Sequence, residues 1–175
     1  MSAASNPSPP VPRRLKGSAL AAAAASACAL AAPLAMRFEG KRNVAYADRI
    51  ASRPVPTTCF GHTGPEVKVG RRYSDRECAV LLDGDLSREA VGVYRCGPPA
   101  LAARPEVWAA LTDLAHNIGI AATCRSSAMW WFQTGHWREG CGRIALFDKA
   151  GGKVRRGLVR RRAREVALCL KGAGA

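Results

Sequence analysis

The sequence predicts an α+β fold, in which a small antiparallel β lobe and a larger helical lobe are joined by a long helix, with a cleft between them. Three observations predict it. Short alternating stretches broken by Pro and Gly occupy residues 41–69. Ser74 and Glu77 then form a Ser-x-x-Glu capping pair directly before an apolar pattern at helical spacing. From there onward apolar residues keep the helical period, broken by Pro98-Pro99, Gly119 and Gly151-Gly152.

The elements follow in chain order. Residues 1–17 hold a Pro-rich start, expected to be disordered, and a basic group of Arg13, Arg14 and Lys16. An uncharged run of 19 residues, 18–36, comes next; it is the length that spans hydrocarbon as a helix. Positive then apolar is the order of an export signal. Eleven of the 19 residues are Ala and three are Leu. Each Leu favours insertion by only about half a kcal/mol, so this is a marginal anchor. Cleavage at a site such as Ala27-Cys28-Ala29, permanent anchoring, and weak anchoring followed by release are all open. Retention is favoured, because Glu39 lies three residues beyond the run and cleavage would remove the helix leading into it.

Residues 41–48 and 57–62 read as strands, 52–56 as a loop, 61–64 as a turn and 67–69 as a short third strand. A long helix is expected to about Arg95, despite Gly84. Pro105 suits the first turn of a second helix, closing near Gly119. A third is placed over about 126–134 and a fourth over about 136–147. A last basic helix, about 157–170, carries Leu158, Ala163, Val166 and Leu170 on one side, expected to face the core. Trp130, Trp131 and Trp137 are expected to pack in the core.

With 175 residues, the chain suits one catalytic domain, placed at 33–171, plus an N-terminal appendage. A 48% apolar content excludes wholesale disorder. The formal charge of +14 attracts polyanions, whether nucleic acid, anionic lipid or the bacterial wall, without choosing among them. None of the seven cysteines forms a C-x-x-C pair, so no metal site and no cofactor are expected. Six lie in the body of the chain and read as a disulfide framework in an exported domain. The seventh, Cys28, lies in the apolar run.

Hydrolysis of a glycosidic bond needs one carboxyl group to protonate the leaving oxygen and a second group to manage water or attack the sugar. Glu39 and Asp48 precede the strand-and-turn region, but such a pair is common by chance. The run that follows is specific: Thr57-Thr58-Cys59-Phe60-Gly61-His62-Thr63-Gly64. With Phe38-Glu39-Gly40, Ala45-Tyr46-Ala47-Asp48, His116-Asn117-Ile118-Gly119, Cys124-Arg125-Ser126-Ser127 and the block from Ala150 to Cys169, it resembles the phage-type lysozymes, the endolysins of glycoside hydrolase family 24.

The resemblance implies a lysozyme-like fold. It also implies cleavage of the β-1,4 link between N-acetylmuramic acid and N-acetylglucosamine in peptidoglycan, by direct attack of water with inversion. Glu39 is then the general acid, and Asp48 with Thr57 holds the water. Glu39, at a helix end beside an apolar segment, is expected to be partly desolvated and so protonated; the alternative is a helix-terminal residue in a salt bridge, for example with an arginine. Asp48 and Thr57 are nine residues apart, three more than the family's pattern, with the extra residues around 51–53. Phe147 stands where the family has tryptophan. Thr63, His116 and Ser127 align with cleft-lining positions that touch substrate, and His62 is expected to be structural. The bridges implied are Cys59–Cys78, Cys96–Cys124 and Cys141–Cys169.

The run 18–36 is similar to signal-arrest-release segments, which implies export to the periplasm, tethering to the inner membrane and later release. The expected partners are peptidoglycan, the inner membrane and the export machinery, with the protein a monomer that binds no nucleic acid. Cys28 is either a thiol that exchanges with Cys59 to gate activity or an inert small residue. Two rival readings remain for the whole chain, a non-catalytic wall binder and a nucleic-acid-binding protein using the C-terminal basic helix.

Overall fold

The computed structural model describes residues 13–48 and 54–174. The Pro-rich residues 1–12 and the extra residues at 51–53 lie outside the described part.

Helix α1, Gly17–Glu39, contains the whole apolar run and ends on the glutamate; Gly40, at φ +68°, turns the chain out of it. It buries a stripe of small side chains, Ala24, Ala27, Cys28, Ala31 and Ala35, against α2 (Asp75–Cys96) and α3 (Pro105–Ile118). The stripe repeats at three and four residues, so it forms one helical face. Only 28% of the most apolar window of α1 is buried. The helix therefore docks on the body without being a core helix. Arg14, just upstream, donates to the carbonyls of Tyr94 and Gly97, both at 2.7 Å, and places its charge at the C-terminal end of α2.

The β lobe is a three-stranded antiparallel sheet of β1 (Arg42–Asp48), β2 (Val55–Cys59) and β3 (His62–Thr63). The third strand is not where the sequence predicted it. Val67–Val69 forms turns, and His62-Thr63 pairs back on β2 instead, because Phe60 and Gly61 already reverse the chain. Pro56, expected in a loop, lies within β2.

The capping pair at α2 is reciprocal: Ser74 accepts from the Glu77 amide, and Glu77 accepts from the Ser74 amide. Helix α3 is the centre of the helical lobe. Its residues from Val107 to Ala115 are all buried, and α1, α2 and α7 (Arg156–Gly172) pack around it. Trp108 stacks on Tyr94 and donates to the Ala90 carbonyl at 2.9 Å, fixing α3 to α2. Helices α4 (Ile120–Cys124), α5 (Ser127–Gln133) and α6 (Trp137–Arg143) complete the lobe, with a hairpin of β4 (Lys149–Ala150) and β5 (Lys153–Val154) around Gly151-Gly152. The expected fourth helix is shorter than predicted and closes as a 3-10 turn at Ile144–Leu146.

Two packing expectations are corrected. Trp130 is 55% exposed and Trp131 half-buried, while Trp137 packs half-buried against the core beside Phe132, and the fully buried tryptophan is Trp108. On α7 the buried residues are Arg161, Arg162, Glu165 and Cys169; Val166 and Leu170 pack half-buried against the core as expected, Leu158 is half-buried, and Ala163 is exposed. The three bridges are Cys59–Cys78, Cys96–Cys124 and Cys141–Cys169, as implied, and Cys28 is a buried free thiol. Bridges of this kind stabilise small domains by roughly 2–4 kcal/mol each.

Candidate active site

The register of the β lobe builds one wall of a cleft. Tyr46 pairs with Thr57 and Asp48 with Val55, so these four side chains share one face of the sheet, and Ala45 and Thr58 point the other way into the core. The register shifts between Arg42 and Tyr46, and Cys59, at φ +54°, leaves the alternation to bridge to Cys78. The opposite wall comes from the last turn of α1, the C-terminal end of α3 and the start of α7. Glu39, Asp48, Thr57, Thr63 and His116 all line this cleft, which encloses about 610 Å³. Ser127 does not; it is exposed in the first turn of α5.

The hairpin tip is fixed in three directions. The Cys59–Cys78 bridge holds it to α2. His62 Nδ1 lies 2.8 Å from Asp85, also on α2, and its Nε2 lies 2.6 Å from Glu66. Burial pushes the His62 pKa down, but hydrogen bonds to Glu66 and Asp85 outweigh it and raise the pKa overall. The expected structural role of His62 therefore reaches beyond its own turn. Third, His116 of α3 donates from Nε2 to the Phe60 carbonyl at 3.1 Å. These anchors set Gly61, at φ +83°, directly against Glu39. A Cβ there would stand 3.3 Å from the Glu39 Oε2, so only glycine suits both the backbone and the approach.

His116 has both ring nitrogens engaged inside the protein. Nδ1 lies 3.0 and 3.2 Å from the two Glu89 oxygens, and Nε2 faces the Phe60 carbonyl. Both partners are acceptors, so the ring satisfies them only when it carries two N–H groups. Burial lowers its pKa, but the Glu89 carboxylate, then Glu39 and the Phe60 carbonyl, raise it overall. The ring lines the cleft but has no nitrogen left for a sugar.

Glu39 does not sit in the apolar surroundings expected of it. Arg161 of α7 donates Nη1 to the Glu39 Oε1. Arg161 is in turn held by Asp113 of α3, with Nε to Oδ2 at 3.0 Å and Nη2 to Oδ1 at 2.9 Å. This bidentate carboxylate keeps a buried guanidinium charged and aimed. Beneath it, Glu165 lies 2.9 Å from Arg162 and 3.4 Å from Arg161. Its pKa is pushed up to about 9, first by burial and then by the neighbouring Asp113 carboxylate; the two arginines pull it back only in part.

Sequence reasoning missed Arg161, Asp113, Glu89 and Glu165. One signal was readable: Asp113 is the single charged residue in the otherwise uncharged stretch 107–115, and such a residue in a buried stretch needs a cationic partner. Among the described residues no cluster of side chains suits a metal ion.

Comparison with known proteins agrees with this architecture. The family model for phage lysozymes matches residues 36–165. The chain is 32% identical over 136 residues to the SAR-endolysin of Enterobacteria phage P21, spanning 77% of this chain and 79% of that protein. It is 31% identical over 165 residues to the SAR-endolysin of Bacteriophage PS119, spanning 90% and 95%. Among solved structures, a mutant of P22 lysozyme superposes with a TM-score of 0.68 at 25% identity, covering 90% of this chain and 99% of that one.

Proposed function

The chain belongs to the phage lysozyme family, and on that premise we propose that it is a peptidoglycan-hydrolysing endolysin that cuts the β-1,4 link from N-acetylmuramic acid to N-acetylglucosamine. Glu39 gives its proton to the leaving oxygen. Asp48 and Thr57, diagonal neighbours on the sheet face, hold the attacking water on the opposite side of the sugar, so the product is inverted. The observation that carries the reading is the convergence of these three side chains, from α1, β1 and β2, on one cleft. Thr57 donates its hydroxyl to the Val55 carbonyl at 3.0 Å, which leaves the oxygen lone pairs to accept from water.

Arg161 and Gly61 are positioning groups for Glu39. Asp113 already balances the Arg161 charge, so Glu39 can take up a proton without leaving a buried guanidinium unpaired. His116 is a positioning residue too, holding the hairpin tip that carries Gly61 rather than touching substrate.

The N-terminal helix gives the enzyme two places to be. As an apolar 23-residue helix it is compatible with tethering to the inner membrane during export. As α1 it docks its small-residue face on α2 and α3 and delivers Glu39 to the cleft. The few Leu side chains make the bilayer a weak competitor, so the tether is one that releases, and the site of action is the wall from the periplasmic side.

The bond specificity is tested by digesting purified peptidoglycan, reducing the new ends with borohydride and identifying the sugar alcohol. Muramitol is expected. Glucosaminitol, or new amino groups with no new reducing ends, would overturn the assignment.

A further inference from the structure

Helices α1 and α2 pack antiparallel. Arg14, just before α1, bonds to the end of α2, while Lys41, just after α1, pairs with Asp75 in the first turn of α2. Between them runs a groove of about 690 Å³ that shares no lining residue with the catalytic cleft. Its floor is Ala24, Cys28, Phe60, Leu82 and Leu86, all buried. One rim is the α1 row Ala21, Ala25 and Ala29, whose methyl groups rise too little to close over the floor. The other is the α2 row Asp75, Ala79, Asp83, Ser87 and Val91. From Ala21 to Met36 the groove follows α1 for about 22 Å.

The two ends differ in charge. At the Met36 end Lys41 and Asp75 neutralise each other across 2.9 Å. At the other end both rows continue at the same four-residue spacing, to Gly17 and Arg95, and the floor continues through Leu20 and Tyr94. Arg14, Lys16 and Arg95 line this end, with no acid beside them. Among the described residues, neither Lys16 nor Arg95 makes an ion pair. Midway, Asp83 is exposed on the rim, so an anion is repelled from the middle of the groove and drawn to the Lys16–Arg95 end.

A long apolar trough with cations at one end matches an alkyl chain with an anionic head. One acyl chain spans a bilayer leaflet, roughly 15 Å, so it fits within the groove and leaves its head at the cationic end. We infer that this groove is a binding site for a free fatty acid, its chain lying between α1 and α2 and its carboxylate against Lys16 and Arg95. The trough holds one chain, which favours a single-chained amphiphile over a two-chained phospholipid. Both rims must be in place to cover the chain, so the ligand binds α1 in its docked position and stabilises it there. The site contains none of the groups of the proposed hydrolase and stands apart from that reading.

The test is calorimetric titration of the full-length protein with myristate, below its micellar concentration and without detergent. One myristate per chain is expected, with a rise in melting temperature. Decanoate should bind about tenfold more weakly, because fewer methylenes leave water. Myristyl alcohol should also bind about tenfold more weakly at low salt, because it lacks the charge. The variant Ala79→Phe/Ser87→Phe fills the trough from exposed positions of α2 and should weaken myristate binding by about tenfold or more. The variant Lys16→Gln/Arg95→Gln should bind myristate and the alcohol alike. Vesicles of phosphatidylglycerol should bind wild type and the filled variant equally; weaker vesicle binding by the filled variant would assign the groove to bilayer lipid and overturn the fatty-acid reading. Undiminished myristate binding by the filled variant, or an undiminished preference for myristate in the charge variant, would also overturn it. Should the filled variant melt below unliganded wild type, the charge variant decides alone.

Discussion

Helices α1 and α7 both pack on α3, and they do so by opposite chemistry. The face that α1 buries on α2 and α3 is made of alanines and a cysteine, side chains that offer little area and few directional bonds. Against α3, helix α7 places Arg161, Arg162 and Glu165, with the two arginines locked to Asp113 and Asn117 by hydrogen bonds with fixed directions. Burial of small apolar side chains is worth little per residue, and is matched by lipid when a bilayer is offered. A buried ion network gains nothing from lipid and is costly to break. Glu39, the proposed acid, lies at the junction, borne by the helix proposed to leave the membrane and oriented by Arg161 of α7. The difference teaches how the site can be assembled late, with its orienting half built in advance.

The largest effect is expected from breaking the α7 side. Asp113→Ala strips Arg161 of its bidentate partner and should cost about 3–5 kcal/mol in urea unfolding. A loss under about 1 kcal/mol would show that the network does not hold α7. Next comes the α1 side. Ala31 is fully buried, so Ala31→Leu should overpack the seam by about 1–3 kcal/mol while making the helix more lipid-soluble. Membrane fractionation should show more tethered protein; an unchanged soluble fraction would contradict the weak-anchor account.

A third prediction asks whether a buried charge elsewhere on α3 behaves like the α7 network. The His116 pKa is raised in the fold, so its contribution to stability is complete below the ordinary histidine value of 6.5 and is lost as pH rises through its higher folded value. His116→Gln should therefore cost about 1–2 kcal/mol at acidic pH and progressively less at alkaline pH. A cost that does not change with pH would show that the imidazolium is not the form that holds the hairpin. The smallest effect is expected at Cys28, whose thiol pKa is raised, first by burial, and which is thereby kept unreactive in the folded state. Cys28→Ser should shift stability by no more than about 1 kcal/mol and leave lysis timing unchanged. Altered timing would instead support exchange with Cys59.

The same contrast explains what could be read from the sequence. Features set by local chemistry were legible: the Ser74–Glu77 cap, Pro105 at the first turn of α3, and Gly119 at its end. The motif segments from Glu39 to Thr63 led to the cleft, because strand alternation puts Tyr46, Asp48, Val55 and Thr57 on one face whatever the loop between them does. The third strand was misplaced because pairing depends on a partner, and His62-Thr63 looks like a turn until β2 is beside it. The face of α7 was read only in part, through Val166 and Leu170, for a deeper reason. A search for apolar periodicity assumes that what is buried is apolar, and here the buried stripe is Arg161, Arg162, Glu165 and Cys169. Trp130 fails by the mirror of that assumption, a large apolar ring left in water. Ser127 was drawn toward the cleft by its motif neighbours, but its helix carries it elsewhere.

The central claim is that Glu39 supplies the proton that breaks the glycan. Its most direct test is the rate of new reducing ends from purified peptidoglycan for wild type and Glu39→Gln, with circular dichroism showing that both are folded. A fall of about a hundredfold or more is predicted for the amide, which cannot donate as an acid. Equal rates from two equally folded proteins would contradict the account.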